Sequence, residues 1–134
     1  ALTLILYDLD DFKIFNDTAG HQAGDAALRA FGRILAGQTR AMNMSARYGG
    51  DEFITILSDT DYEGGTMHVG RVIKAMAEEP RLAGLGVSAG IATYREGMTS
   101  AEQLIREADQ ALYRAKNEGR NRVCGAPAPD AAPA

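Results

Sequence analysis

Asp51 and Glu52 stand side by side directly after two glycines, in the run Arg47-Tyr48-Gly49-Gly50-Asp51-Glu52-Phe53. Consecutive glycines between extended segments signal a hairpin, because a positive φ costs glycine little. The pattern predicts strands over residues 45–48 and 53–57, with a Gly-Gly turn and both acids at its tip. Adjacent acids repel, so such a tip gains most from a cation beside it. A second acidic run, Asp8-Leu9-Asp10-Asp11, closes the apolar stretch of residues 2–7. Taken alone, that run also fits an ordinary solvated strand end. Two carboxylates and a free backbone carbonyl on neighbouring strands make a hard-oxygen site suited to Mg²⁺.

The remaining elements must bring these acids together. Residues 2–7 are apolar on both faces of a period-2 pattern and predict a buried internal strand. Residues 12–18 predict a short helical turn. A helix is expected from about Gly24, with Leu28, Phe31, Ile34 and Leu35 on one face and Asp25 in its first turn. Residues 62–79 read as a helix through Val69, Val72, Ile73 and Met76, stopped by Pro80. Residues 85–94 predict a strand or strand pair. Ser100 caps a helix with Gln103 three residues on and Leu104, Ala108, Leu112 and Ala115 at helical spacing, ending near Gly119. Residues 122–124 fit a short edge strand. The order β–α–β–β–α–β–α–β predicts an α+β fold, with helices covering a central, mainly antiparallel sheet.

Composition narrows the function. The chain has 134 residues, 46% of them hydrophobic and 24% charged, which suits one globular domain. Fourteen basic and eighteen acidic residues give a net charge of −4 with no block of like charge, which argues against a nucleic-acid partner. The single Cys124 excludes an internal disulfide framework and fits a reducing, cytoplasmic setting. No apolar stretch is long enough for a membrane span. The opening residues lack a charged n-region, so no signal peptide is predicted. Gly84-Leu85-Gly86-Val87-Ser88-Ala89-Gly90 has no Lys-Ser/Thr after it and is not a Walker loop. Two histidines, His21 and His68, leave no His-rich metal site, and His21 is expected to serve a turn.

The hairpin run resembles the signature of the GGDEF family, the diguanylate cyclases. A second run agrees with it. The family pattern D-x-D-x-F-K-x-x-N-D-x-x-G-H-x-x-G-D is matched at every fixed position from Asp8 to Asp25. A third match is Ala115-Lys116-Asn117-Glu118-Gly119-Arg120-Asn121, against A-K-x-x-G-R-N. The resemblance covers about residues 2–123. It implies a nucleotidyl-cyclase or polymerase "palm" arrangement, with residues 1–124 as the catalytic domain. The helix and L-T-x-L-x-N-R segment that the family usually places ahead of the first strand are absent. Residues 125–134, mostly Ala and Pro, are expected to form a disordered tail.

The resemblance also implies roles. Asp8, the Leu9 carbonyl and Asp51 become ligands of Mg²⁺, with Mn²⁺ as a substitute. Asp51 becomes the group that deprotonates an attacking 3′-hydroxyl, and Glu52 the second acid of the signature. Asn16 and Asp25 become readers of guanine. An amide suits the O6/N3 side, and a carboxylate accepts from N1–H and the 2-amino group. Leu28 would pack against the base. Lys13, the backbone at Phe12, Lys116 and Arg120 would face phosphates. Outside the family pattern, Lys116 and Arg120 are simply cations at a helix end, and Asn16-Asp17 a turn.

Many members carry Arg-x-x-Asp ahead of the signature, where product binds and inhibits. Here the residues are Arg40-Ala41-Met42-Asn43, so the Arg is kept and the acid is not. Weakened product inhibition is expected. The implied reaction condenses two GTP into cyclic di-GMP and two pyrophosphates, in an antiparallel homodimer held by an upstream sensor domain. The rival reading is a catalytically silent module that binds nucleotide and signals through protein contacts. A cyclase with a different base preference is a third reading, which Asp25 disfavours.

Overall fold

The computed structural model describes residues 1–40 and 42–125; of the tail expected over residues 125–134, Gly125 instead ends a strand, and residues 126–134 lie outside the described residues. Five strands form one sheet in the order β2-β3-β1-β4-β5. The strands are β1 (Leu2–Leu9), β2 (Met44–Gly49), β3 (Glu52–Ser58), β4 (Val87–Thr93) and β5 (Val123–Gly125). All pairings are antiparallel except β4 with β5. The helices are α1 (Phe12–Ala19), α2 (His21–Gly37), α3 (Tyr62–Ala77) and α4 (Ala101–Asn117), with a 3₁₀ turn at Pro80–Leu82. The expected α+β class and mainly antiparallel sheet are thus observed.

β1 lies in the middle, and its period of two sorts the core. Ile5, Tyr7 and Leu9 point into a cluster with Phe31 and Leu35 of α2 and Val69 and Val72 of α3. Leu4 and Leu6 point the other way, into a cluster with Leu104, Ala108 and Leu112 of α4. α2, α3 and α4 therefore each bury one apolar stripe against one sheet face, whereas α1 has no buried residue and packs on α2. α4 sits unusually close to β4 at Gly90. A Cβ there would collide with the Ala108 carbonyl oxygen and the Leu112 amide nitrogen.

Several boundaries differ from expectation. α2 starts at His21 rather than about Gly24, so Asp25 is its fifth residue and lies outside the first turn. Gly20, at φ 97°, is the N-cap, and no side chain caps this helix. The residues 85–94 segment is one strand, β4. The hairpin turn is Gly50-Asp51, not Gly49-Gly50: Gly49 ends β2 opposite Glu52, after an irregularity between Arg47 and Gly49. α3 begins at an Asp61 cap that accepts from the Gly64 amide, and α4 at a Ser100 cap that accepts from Gln103.

Candidate active site

The same alternation that packs the core delivers the acids. Asp8 follows Leu4 and Leu6 on the α4 side of β1. Glu52 shares the side of Ile54 and Ile56 on β3, and Ser88 that of Gly90 and Ala92 on β4. The register sets Asp8 opposite both Glu52 and Ser88. The apolar stripe under α4 therefore ends in a polar rim. Lys116, one turn beyond Leu112, reaches that rim and places its Nζ 3.1 Å from Asp8 Oδ2 and 3.5 Å from Asp10 Oδ1.

Asp51 arrives from the hairpin. Its backbone carbonyl accepts from the Leu9 amide at 3.2 Å, which stitches the tip to the end of β1 and puts the Leu9 peptide beside it. Arg47 braces the turn by donating from Nε to the Gly50 carbonyl at 2.8 Å. One carboxylate oxygen each from Asp8, Asp51 and Glu52 then lies within 4.8 Å of the others. Burial pushes Asp8 up to about 7; the Lys116 ammonium opposes that rise, and the Asp51 charge adds to it. Burial also raises Glu52, helped by Asp51 and Asp109. Asp8 Oδ1 is buried with no hydrogen-bond partner. An orphaned carboxylate oxygen within a mutually repelling acid group fits a hard divalent cation.

The residues expected to face nucleotide fall into two places. Asp25 and Leu28 line a cleft of about 430 Å³ with Arg29 and Arg47. Asn16 lies on α1, over the start of α2. A Cβ at Gly24 would collide with its Oδ1, so this helix pair closes only because residue 24 has no side chain. The His21 ring hydrogen-bonds Asn16 Nδ2 at 2.9 Å. His21 thus orients an expected base reader, a role that the turn reading did not assign. Lys13 is exposed on α1. Asp11 precedes α1 at φ 53° and its side chain makes no cap, which leaves first-turn amides, including that of Phe12, free of side-chain capping. Arg120 Nε is 3.6 Å from Asp11 Oδ1, so two of the three expected phosphate cations, Lys116 and Arg120, sit against acids at the end of β1 and the head of α1.

Asp10 was not singled out from the sequence. It is buried, accepts from Ser88 Oγ at 2.6 Å and from the Asn121 amide at 2.8 Å. The D-x-D spacing marks it as a fixed position of the family pattern but gives it no role, since its partners are distant in the chain.

Arg40 and Asn43 lie away from the acids, in a separate cleft of about 230 Å³ shared with Gln38, His68 and Arg71. Asn43 Oδ1 accepts from the Ser58 amide at 2.8 Å, a bond that ties the start of β2 to the end of β3.

A mainly antiparallel sheet whose central strand meets an acid-tipped β2–β3 hairpin points to a class of domain, and comparison with known proteins agrees. The family described as "Diguanylate cyclase, GGDEF domain" matches residues 1–122. Diguanylate cyclase A of Treponema denticola is 36% identical over 128 residues, covering 92% of this chain and 34% of that protein. The response regulator PleD of Caulobacter vibrioides is 39% identical over 132 residues, covering 92% of this chain and 29% of PleD. Among solved structures, the active GGEEF domain of a diguanylate cyclase from Vibrio cholerae superposes with a TM-score of 0.85 at 32% identity, covering 92% of this chain and 81% of that one. The GGDEF domain of DgcB from Caulobacter crescentus, solved with c-di-GMP, gives 0.86 at 31%, covering 92% and 77%.

This chain belongs to the GGDEF family of diguanylate cyclase domains. It spans about a third or less of the length of the curated relatives named here.

Proposed function

We propose that residues 1–124 are the catalytic domain of a diguanylate cyclase, which condenses two GTP into cyclic di-GMP. The observation that carries this reading is the meeting of Asp8, Asp51 and Glu52 within 4.8 Å of one another, with Lys116 beside Asp8. Asp8, Asp51 and the Leu9 carbonyl would hold Mg²⁺, or Mn²⁺ in its place. When bound, the cation neutralises triphosphate charge and favours attack at phosphorus.

The chain's own groups do the rest. Asn16 and Asp25 read the guanine edge, and Leu28 supports the base. Lys13, the Phe12 backbone, Lys116 and Arg120 hold the distal phosphates. Asp51 takes the proton from a 3′-hydroxyl, whose oxygen attacks the α-phosphorus of the second GTP. A phosphodiester bond forms, the α–β anhydride bond breaks, and pyrophosphate leaves with the electron pair. Two such steps close the ring and release two pyrophosphates. Each domain holds one GTP, so an antiparallel homodimer is needed to bring hydroxyl and phosphorus together. An upstream sensor domain would supply that proximity. A cytoplasmic location fits a GTP-consuming reaction. Among the described residues no helix is long and apolar enough to cross a membrane. Arg40 and Asn43 form a weakened product site.

The test is incubation of concentrated protein with GTP and Mg²⁺, with cyclic di-GMP read by chromatography and Asp51→Ala as control. Product from the parent chain and none from the variant is expected. GTP binding without turnover in a forcibly dimerised chain would favour the silent nucleotide-binding module instead.

A further inference from the structure

Arg120 and Asn121 both adopt left-handed backbone, at φ 63° and 47°. A non-glycine residue holds that conformation only when its surroundings fix it. Two bonds fix this pair. The Arg120 amide donates to the Ala115 carbonyl at 3.0 Å, closing the end of α4. The Asn121 amide donates to Asp10 Oδ2 at 2.8 Å, across 111 residues of chain. The other Asp10 oxygen is taken by the hydroxyl of Ser88, which is fully buried, and faces Lys116 Nζ at 3.5 Å. The Asp10 amide itself donates to the Gly86 carbonyl at 2.9 Å, so its backbone is anchored as well.

We infer that Asp10 is a positioning residue for the triphosphate: it clamps the turn of residues 119–122, and so sets where Lys116 and Arg120 present their charges. The assignment rests on the cyclase reading above. Asp10 stands outside the Asp8–Asp51–Glu52 group. Both of its carboxylate oxygens are committed to the protein, which suits a strut and not an open ligand. Charge-assisted bonds to a backbone amide and a hydroxyl are stronger than neutral ones, and the one to Ser88 is buried from water. The geometry that they hold passes to Arg120, whose Nε meets Asp11 Oδ1 at 3.6 Å at the head of α1. The two ends of the expected phosphate cradle are thus fastened together by one buried carboxylate.

The clamp concerns the distal phosphates and not the base. Asp10→Asn keeps the shape but loses the charge and one acceptor. It should weaken Mg²⁺·GTP binding about tenfold while changing GMP binding by less than about twofold, since only GTP reaches the clamped cations. Hydrogen exchange of residues 119–122 should quicken in the variant, while β1 and β3 keep their protection. A parent chain that binds no GTP rejects the cyclase reading and this role with it. A parent that binds GTP, with Asp10→Asn binding it equally well, rejects the clamp alone. So does an equal loss of GTP and GMP. If Asp10→Asn does not fold, Ser88→Ala is measured the same way. It removes one of the bonds and should weaken GTP about threefold, again sparing GMP; unchanged GTP affinity in Ser88→Ala overturns the inference.

Discussion

The ammonium of Lys116 lies 3.1 Å from Asp8, joining the last turn of α4 to the end of the central strand. This pair sits at the edge of the acid group and governs how easily Asp8 holds its proton. Burial raises Asp8 to about 7, and Lys116 is the main force against that rise.

Cation binding should therefore depend on pH. Asp8 must lose its proton to serve as a ligand, so Mn²⁺ or Mg²⁺ affinity is expected to climb between pH 6 and 8. Lys116→Met should move that climb to higher pH, because the opposing charge is gone. Calorimetric titration of the cation at several pH values reads both effects; a flat profile in the parent chain contradicts the account.

Without a cation the sign for stability is opposite. The folded-state value of Asp8 lies above its unfolded value of 3.8, so the folded chain binds the extra proton. The stability from Asp8 is complete below about pH 4 and is lost as pH rises through about 7. Asp8→Asn should flatten this part of the thermal-melting profile in chelator.

His68 gives a second pH dependence with the reverse slope. Burial lowers its pKa, with Arg71 adding to the effect. Tyr7, whose own ionisation is suppressed by burial, lies with its hydroxyl 3.0 Å from His68 Nδ1 and is assigned as the donor. The neutral ring is thus the folded form. Stability from this site is complete above about pH 6.5 and falls as pH drops below it, because the unfolded chain gains a proton first. His68→Phe should remove that loss in melts between pH 7 and 5.

Gly24→Ala tests the joint between α1 and α2. The new methyl would displace Asn16, so GTP affinity should fall while the fold survives at a cost of about 1–3 kcal/mol. Asp25→Ala tests the base itself. It should reduce the preference for GTP over inosine triphosphate, which lacks the 2-amino group, by about tenfold. Competition binding with the two nucleotides measures the ratio.

The proposed product site makes a prediction of gain. Asn43 already accepts from the Ser58 amide, and a carboxylate can keep that bond. Asn43→Asp should therefore fold normally and tighten cyclic di-GMP binding, with Arg40→Ala abolishing it. Titration of cyclic di-GMP into the three proteins decides the matter; equal binding by all three would place the ligand elsewhere.

The parts legible in the sequence are those written in local pattern. The apolar run of β1, the glycine turn ahead of β3 and the Ser100 cap of α4 located their elements to within a few residues. The start of α2 was less legible, because His21-Gln22-Ala23 carries no apolar repeat and Gly20 offers no capping side chain. The hairpin turn shifted by one residue because a local irregularity between Arg47 and Gly49 draws Gly49 into the strand. Asp10 was hidden for a different reason. The D-x-D spacing fixes its position, but its burial and its partners 78 and 111 residues away, which give it its role, are not written in short-range spacing.

The missing side chain at Gly90 reaches further than its own strand. Because α4 rests backbone to backbone on β4 there, the helix works as a rail whose height is machined at an uncharged point. Lys116 inherits that height at the far end. A methyl group added at position 90 would lift the rail, and a protein lacking no charged residue would be mistuned at its charged end.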